Sequence, residues 1–326
     1  MHSIPSSAMR AALLDTAGDA GVLRIGEAPI PRRVSAEVLV RVIAAGVNPI
    51  DVKTRSGAGT YSAIANFPAI LGQEFSGVVV ESPYSGHRLQ PGDDVFGMIM
   101  VPRFGGSFAE YVSVPVMSVA RKPSTLSHIE AAGVPLAALT AWGMVVETAR
   151  AHEGQRILIH AASGGVGHFA VQFAAYFGAH VIATGSAANH SWLRSLGAAE
   201  VIDYSTTRFE DAVSDVDAVI DLIGNVHDNT GTRSLSVLRQ GGLLVNAPSG
   251  SWPTLAEDAA AAGMRATEYR VSADGTTLAV IARLMDFGSI GVRIDNIFPL
   301  DAIAEAHRAV ETAHTRGKIV VKIADA

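Results

Sequence analysis

From about residue 157 onward the apolar positions fall in nearly unbroken runs rather than in alternation. Ile157-Leu158-Ile159 opens the series, and further runs lie at 180–184, 200–204, 218–223, 242–246 and 265–271, separated by helix-length segments. Strands covered by helices on both faces read this way, so the rhythm predicts a parallel sheet. Between the runs, residues 166–177 and 192–196 carry helical spacing, each closed by a glycine, Gly178 or Gly197. About 150 residues are therefore expected to form one doubly wound nucleotide-binding domain.

The first 120 or so residues differ in kind. Short strand-like stretches at 38–42, 76–80, 94–98 and 109–114 alternate with turns such as Gln90-Pro91-Gly92-Asp93-Asp94, which predicts a small, mostly antiparallel β domain. Met9-Arg10-Ala11-Ala12-Leu13 reads as its first strand, leaving the preceding eight residues as a mobile tail. After about Val271 come a helix at 276–287, the strand Ile297-Phe298-Pro299-Leu300, a helix at 302–313 and a strand at 317–323. A nucleotide-binding fold is complete without this segment, which is expected to pack back onto the first domain. The reading is thus an α/β chain with domains at 1–123 plus 272–326 and at 124–271, and with ligand in the cleft between them, at the carboxyl ends of the parallel strands.

Composition agrees. At 326 residues two domains are the natural expectation, and 48% apolar against 17% charged residues makes a sizeable core easy to bury. The formal charge of −6 is spread along the chain with no run of Lys or Arg, which argues against a nucleic-acid surface. Cysteine is absent, which excludes disulfides, thiolate nucleophiles and cysteine zinc sites. The N-terminus lacks the parts of a secretory signal, and no apolar run is long enough to span a bilayer. A soluble cytoplasmic protein is the expectation.

The most specific chemistry follows the first apolar run. His160-Ala161-Ala162-Ser163-Gly164-Gly165-Val166-Gly167 is a glycine-rich turn opening a helix, where bare backbone N–H groups and the helix dipole accept a pyrophosphate. Ser163, Gly164, Gly165, Val166 and Gly167 are therefore cofactor-binding candidates, with Gly167 letting the helix lie close against the strand. A free ribose 2′-hydroxyl calls for an acidic side chain about 20 residues later. The stretch from Ala183 to His190 holds none, whereas Ser186 and Asn189 offer donors and His190 or Arg194 positive charge. NADPH is expected over NADH.

At this point Ala44-Ala45-Gly46-Val47-Asn48-Pro49-Ile50-Asp51, Leu71-Gly72-Gln73-Glu74-Phe75-Ser76-Gly77, Pro91-Gly92-Asp93-Asp94-Val95-Phe96-Gly97, Gly106-Ser107-Phe108-Ala109-Glu110-Tyr111, Leu139-Thr140-Ala141-Trp142 and Gly317-Lys318 together resemble the medium-chain dehydrogenase/reductase superfamily. Their order and spacing fit its quinone oxidoreductase, or zeta-crystallin-like, branch. The resemblance implies a GroES-like catalytic domain beside a Rossmann domain, often in homodimers. Zinc alcohol dehydrogenases of that superfamily carry a cysteine where this chain has Asn48 and a histidine where it has Gln73, so no metal is expected.

Without a Lewis acid, hydride needs an acceptor that is already electrophilic: a quinone, or the β-carbon of an α,β-unsaturated carbonyl. By the resemblance, Asn48 would hydrogen-bond the substrate oxygen and Tyr61 would donate a proton or stabilise an enolate. Asp51 is a third catalytic candidate, although its place in the motif equally suits a turn. Thr140 and Tyr204 match positions near the cofactor's phosphates, Gly224 and Ser249 end the fourth and fifth strands, and Lys318 is placed to reach cofactor or substrate. None of the eleven histidines has metal spacing, and His160 reads as an interior residue, as Trp142 and Phe169 do. Three activities follow as readings: an NADPH:quinone reductase, an enoyl or alkenal reductase, and a non-catalytic NADPH-binding protein of regulatory, crystallin-like or RNA-binding type. Membrane partners are not expected.

Overall fold

The computed structural model describes residues 7–100 and 106–325. The chain divides into two compact units, one running to Leu139 and resuming at Ser272, the other spanning Thr140–Val271. The first division thus falls after Leu139, where the sequence places it at 123. The reason is local: helix His128–Ala132 packs against strands Glu37–Val47 and Glu74–Glu81. The expected mobile tail lies for the most part outside the described residues, and Ala8 already belongs to strand Ala8–Leu14.

In the second unit a six-stranded parallel sheet is built from Arg156–Ile159, His180–Thr184, Glu200–Ile202, Val216–Asp221, Leu238–Asn246 and Arg265–Glu268. Numbered in chain order, their spatial order is 3-2-1-4-5-6, the doubly wound arrangement of a dinucleotide-binding domain. Every strand the apolar runs predict is present. The third ends at Ile202 rather than Tyr204, because the Asp203 carboxylate accepts the N–H of Ser205 at 2.9 Å and turns the chain out of the sheet. The sixth stops at Glu268. Leu158, Ile182, Val219 and Leu244, all buried, form the layer beneath which Leu235, Trp252 and Leu255 pack.

The first unit carries a seven-stranded sheet, antiparallel but for one pair, with strands Ile294–Pro299, Lys318–Lys322, Glu37–Val47, Glu74–Glu81, Asp94–Met98 and Val119–Arg121 in spatial order, and Tyr111–Pro115 paired to Glu37–Val47. The C-terminal segment does return to this unit, as expected, through Lys318–Lys322. Several short helices went unread in the sequence, among them Pro49–Arg55, which has proline at its first position and Asn48 as its N-cap. At seven residues it is too brief to show a helical period. Among the described residues no helix is long and apolar enough to cross a membrane.

Candidate active site

Each unit contributes its own constellation. In the second, the parallel strands end level with one another: Ala183 pairs with Ile159, Thr184 with Ile202, Ile220 with Ile159 and Asp221 with Asn246. The segments that follow these ends hold Ser163 to Gly167, Ser186 and Asn189, Tyr204, Gly224 and Ser249. Residues scattered over nearly ninety positions are thereby gathered at one edge of the sheet.

The glycine turn has the shape the sequence asks for. Gly164 donates its N–H to the Ala161 carbonyl at 3.0 Å, and His168 donates to Gly164 at 3.1 Å, while the N–H groups of Gly165 and Val166 have no partner among the described residues. Helix Gly167–Tyr176 starts there. A Cβ on Gly167 would press into the Ala161 carbonyl and lie 2.7 Å from Ala162 Cα, so only glycine lets helix and strand approach this closely. A Cβ on Gly164 would meet only that same carbonyl, at 3.2 Å, so the turn's outer side is open backbone. These residues fit the pyrophosphate of a nicotinamide dinucleotide.

At the second strand's end Asn189 Nδ2 donates to Ser186 Oγ at 3.2 Å. The fold adds a group the sequence window omits. Asp203, from the end of the neighbouring strand, is held below the ordinary carboxylate range by the Ser205 hydroxyl and N–H, with His190 and the Ala187 N–H contributing, so its charge lies beside this turn and is already engaged. Gly224, at a φ of 69°, leaves room for Ser251, whose Cβ an added methyl would meet at 2.5 Å. Its N–H and that of Ile223 both bond Asp221 Oδ1 at 2.9 Å. Tyr204 and Ser249 are both exposed, and Thr140 is buried at the start of the unit. His160 is interior as expected: its ring nitrogens meet Thr184 Oγ1 at 3.2 Å and Ser234 Oγ at 2.9 Å. Trp142 packs edge-on against Phe173 and Phe177.

In the first unit the central feature is a buried polar cluster. Asn48 Nδ2 donates to Glu74 Oε1 at 2.8 Å, Lys318 Nζ lies 2.8 Å from the same oxygen, and Lys318 Nζ also donates to Asn48 Oδ1. Glu74 Oε2 accepts the N–H of Leu136 at 2.8 Å, in the first turn of helix Pro135–Trp142. All three side chains are at least 97% buried. Register explains their meeting: strand Glu37–Val47 lies between two others, with Gly46 opposite Glu74 on one side and Val47 opposite Ile319 on the other. Gly46 is the enabling residue, because a Cβ there would stand 2.6 Å from Glu74 Cδ and 2.7 Å from the Ala132 carbonyl. In the sequence Glu74 stands out only as part of the Gly72-Gln73-Glu74 motif, and the signal for its role is a carboxylate inside an otherwise apolar strand.

Asp51 sits beside this cluster, accepting the N–H of Asn48 at 2.8 Å and that of Gly72 at 3.2 Å. Burial pushes its carboxyl up to about 7, aided by the charge on Glu74 and opposed by the two N–H groups and Lys318. Such a group binds its proton more tightly when folded, so its contribution to stability is full below about pH 4 and is lost as the pH rises through about 7. His160 and His307 act oppositely. Burial holds them at about 4 and about 3, so the stability they lend is present above about pH 6.5 and lost as the pH falls. Asp51→Asn is therefore expected to steepen the decline in urea-unfolding stability between pH 7 and pH 4, by up to about 4 kcal/mol across the window; an unchanged slope would show that Asp51 is ionised throughout.

Tyr61 lies in a short helical turn, Tyr61–Ala63, that contacts helix Pro49–Arg55. Its hydroxyl accepts the N–H of Ala17 at 3.4 Å and its ring centroid lies 5.6 Å from that of Phe67; no hydrogen bond or ring contact among the described residues joins it to Asn48, Glu74 or Lys318.

Residues 34–124 match the alcohol dehydrogenase GroES-like domain family and residues 196–321 the zinc-binding dehydrogenase family. The mouse mitochondrial NAD(P)H oxidoreductase RTN4IP1 is 34% identical, over 98% of this chain and 91% of its own. The chain belongs to the medium-chain dehydrogenase/reductase superfamily. Within it, the match to the quinone oxidoreductase of Coxiella burnetii, at a TM-score of 0.91 and 35% identity over 97% of this chain and 99% of that one, sets the zinc-independent, quinone oxidoreductase-like branch. The chloroplastic NADPH-dependent alkenal/one oxidoreductase of Arabidopsis thaliana is 31% identical over 98% of the chain and 80% of its own. This superfamily member is an oxidoreductase with a nicotinamide cofactor. The expectation of a cytoplasmic location is corrected by the same comparison, since the mouse relative is mitochondrial and the Arabidopsis one chloroplastic.

The name of the second family raises zinc, and the donor set does not fit it. Asn48 and Gln73 offer neutral amide oxygens instead of thiolate and imidazole, and the Asn48 oxygen is taken by an ammonium. Among the described residues no group of three or more His, Cys, Asp or Glu side chains is placed to hold a metal.

Proposed function

We propose that this chain is a metal-independent NADPH:quinone reductase. The observation that carries the reading is the cluster of Asn48, Glu74 and Lys318: where zinc relatives have metal ligands, this chain has an amide hydrogen-bonded to a buried ion pair. Such a group can donate a hydrogen bond to an oxygen that gains negative charge, and it provides no Lewis acid for simple alcohol oxidation. The cofactor, when bound, supplies a hydride. Ser163 to Gly167 would hold its pyrophosphate, Gly224 and Ser249 would meet its ribose and nicotinamide end, and Ser186 and Asn189 would donate to the 2′-phosphate. Thr140 and Tyr204 would complete the phosphate contacts. Asn48 would orient the acceptor's oxygen, with Asp51 setting the backbone that carries it. A homodimer is the assembly the branch implies. The Arabidopsis relative's name supports a second reading, reduction of an enone double bond at the same centre.

The test is NADPH or NADH consumption at 340 nm by chelator-treated protein offered a quinone or an enone. NADPH-selective turnover fastest with quinones is expected. Faster enone reduction would transfer the assignment to the second reading, and tight NADPH binding without turnover of any acceptor would favour a non-catalytic protein.

A further inference from the structure

The hydrogen bonds around Asn48 use up one side of its amide and leave the other. Its Oδ1 accepts from Lys318, one Nδ2 hydrogen goes to Glu74, and the second has no partner among the described residues. Lys318 is held in the same cluster: its Nζ donates to Asn48 Oδ1 and, at 3.5 Å, to the Val47 carbonyl, and it forms an ion pair with Glu74 Oε1 at 2.8 Å. Asn and Gln amides are nearly symmetric in shape, and what fixes one orientation is the chemistry of the neighbours. Here a cation stands at the oxygen and a carboxylate at the nitrogen, so the reversed amide would place N–H against ammonium and C=O against carboxylate.

We infer that Lys318 and Glu74 are positioning residues that lock the Asn48 amide with its spare Nδ2–H presented to the substrate oxygen, and that Lys318 polarises that donor through the amide. The inference rests on Asn48 being the substrate-oxygen donor. A cation bonded to the carbonyl end draws electron density from the nitrogen and strengthens its remaining hydrogen bond, as in other chained hydrogen bonds of a low-dielectric interior. Positive charge thus reaches the developing oxyanion by way of a side-chain amide. This reassigns Lys318 from the cofactor-contacting part expected of it to a part played through Asn48.

The test is a double-mutant cycle on Asn48→Ala and Lys318→Met, reading kcat by single-turnover hydride transfer and NADPH affinity by fluorescence titration. Asn48→Ala is expected to lower kcat by roughly 10²- to 10³-fold, the usual loss for one oxyanion donor. Lys318→Met should lower it by about tenfold or more, leave NADPH affinity unchanged, and add nothing further in the Asn48→Ala background; Lys318→Arg should restore part of the loss. Effects that multiply, or a fall in NADPH affinity on Lys318→Met, would overturn the inference and return Lys318 to the cofactor. Undiminished kcat in Asn48→Ala would instead remove the underlying reading of Asn48. If Lys318→Met does not fold, the same cycle is run with Glu74→Gln/Lys318→Met, whose neutral pair avoids a stranded buried charge.

Discussion

Replacing Glu74 with alanine is expected to destabilise the protein by about 3–5 kcal/mol, the usual cost of leaving one partner of a buried ion pair uncompensated. The size of the effect is set by Lys318, which is 97% buried and has no other carboxylate bonded to it among the described residues. Removing Glu74 also strips Asn48 Nδ2 and the Leu136 N–H of their acceptor. The loss should therefore exceed that of truncating any of the exposed pairs, such as Arg10 with Asp301, which are worth about 0–1 kcal/mol. Glu74→Gln/Lys318→Met should recover most of the stability, because the pair's own net worth is small once both charges are gone. Urea unfolding of the two variants decides the matter: equal losses in both would mean that shape, not charge, carries the effect.

The second large effect is expected at the glycine turn. Gly167→Ala puts a carbon against the Ala161 carbonyl and 2.7 Å from Ala162 Cα, both backbone and neither able to rotate away. Helix Gly167–Tyr176 must shift off its strand, at about 1–3 kcal/mol for overpacking. The same shift re-aims the N–H groups of the turn, so NADPH affinity should fall by roughly tenfold or more, each decade being about 1.4 kcal/mol. Gly164→Ala is the paired control: its added carbon meets one carbonyl at 3.2 Å, so the fold should persist while the cofactor's approach is obstructed. Denaturant midpoints and NADPH titrations separate the two, and a Gly167→Ala protein with wild-type values in both would refute the close-packing account.

What the sequence made legible was local or periodic. The parallel sheet announced itself through continuous apolar runs such as 180–184 and 218–223, and the turn after Ile159 through glycines whose backbone has to be bare. Nearly all cofactor candidates follow strand ends, so reading the strands correctly also gathered the candidates. The short helix Pro49–Arg55 was missed because seven residues complete too few turns to establish a period. Tyr204 was read into a strand because nothing in the apolar pattern reveals that Asp203 ends it. The cluster of Asn48, Glu74 and Lys318 was illegible for a deeper reason. Its members are 26 and 270 residues from Asn48 and meet only because one strand lies between two others in a particular register, which a single sequence does not encode locally.

Quinones and enones are soft electrophiles that alkylate thiols and free amines. A protein handling them repeatedly is exposed to self-inactivation by adduct formation. Here no thiol exists anywhere in the chain, and the amine of the central cluster is buried inside a sheet, paired with the Glu74 carboxylate and donating to Asn48 Oδ1 and the Val47 carbonyl. The ion pair that aligns an amide therefore also keeps the cluster chemically inert toward compounds of the class its relatives reduce.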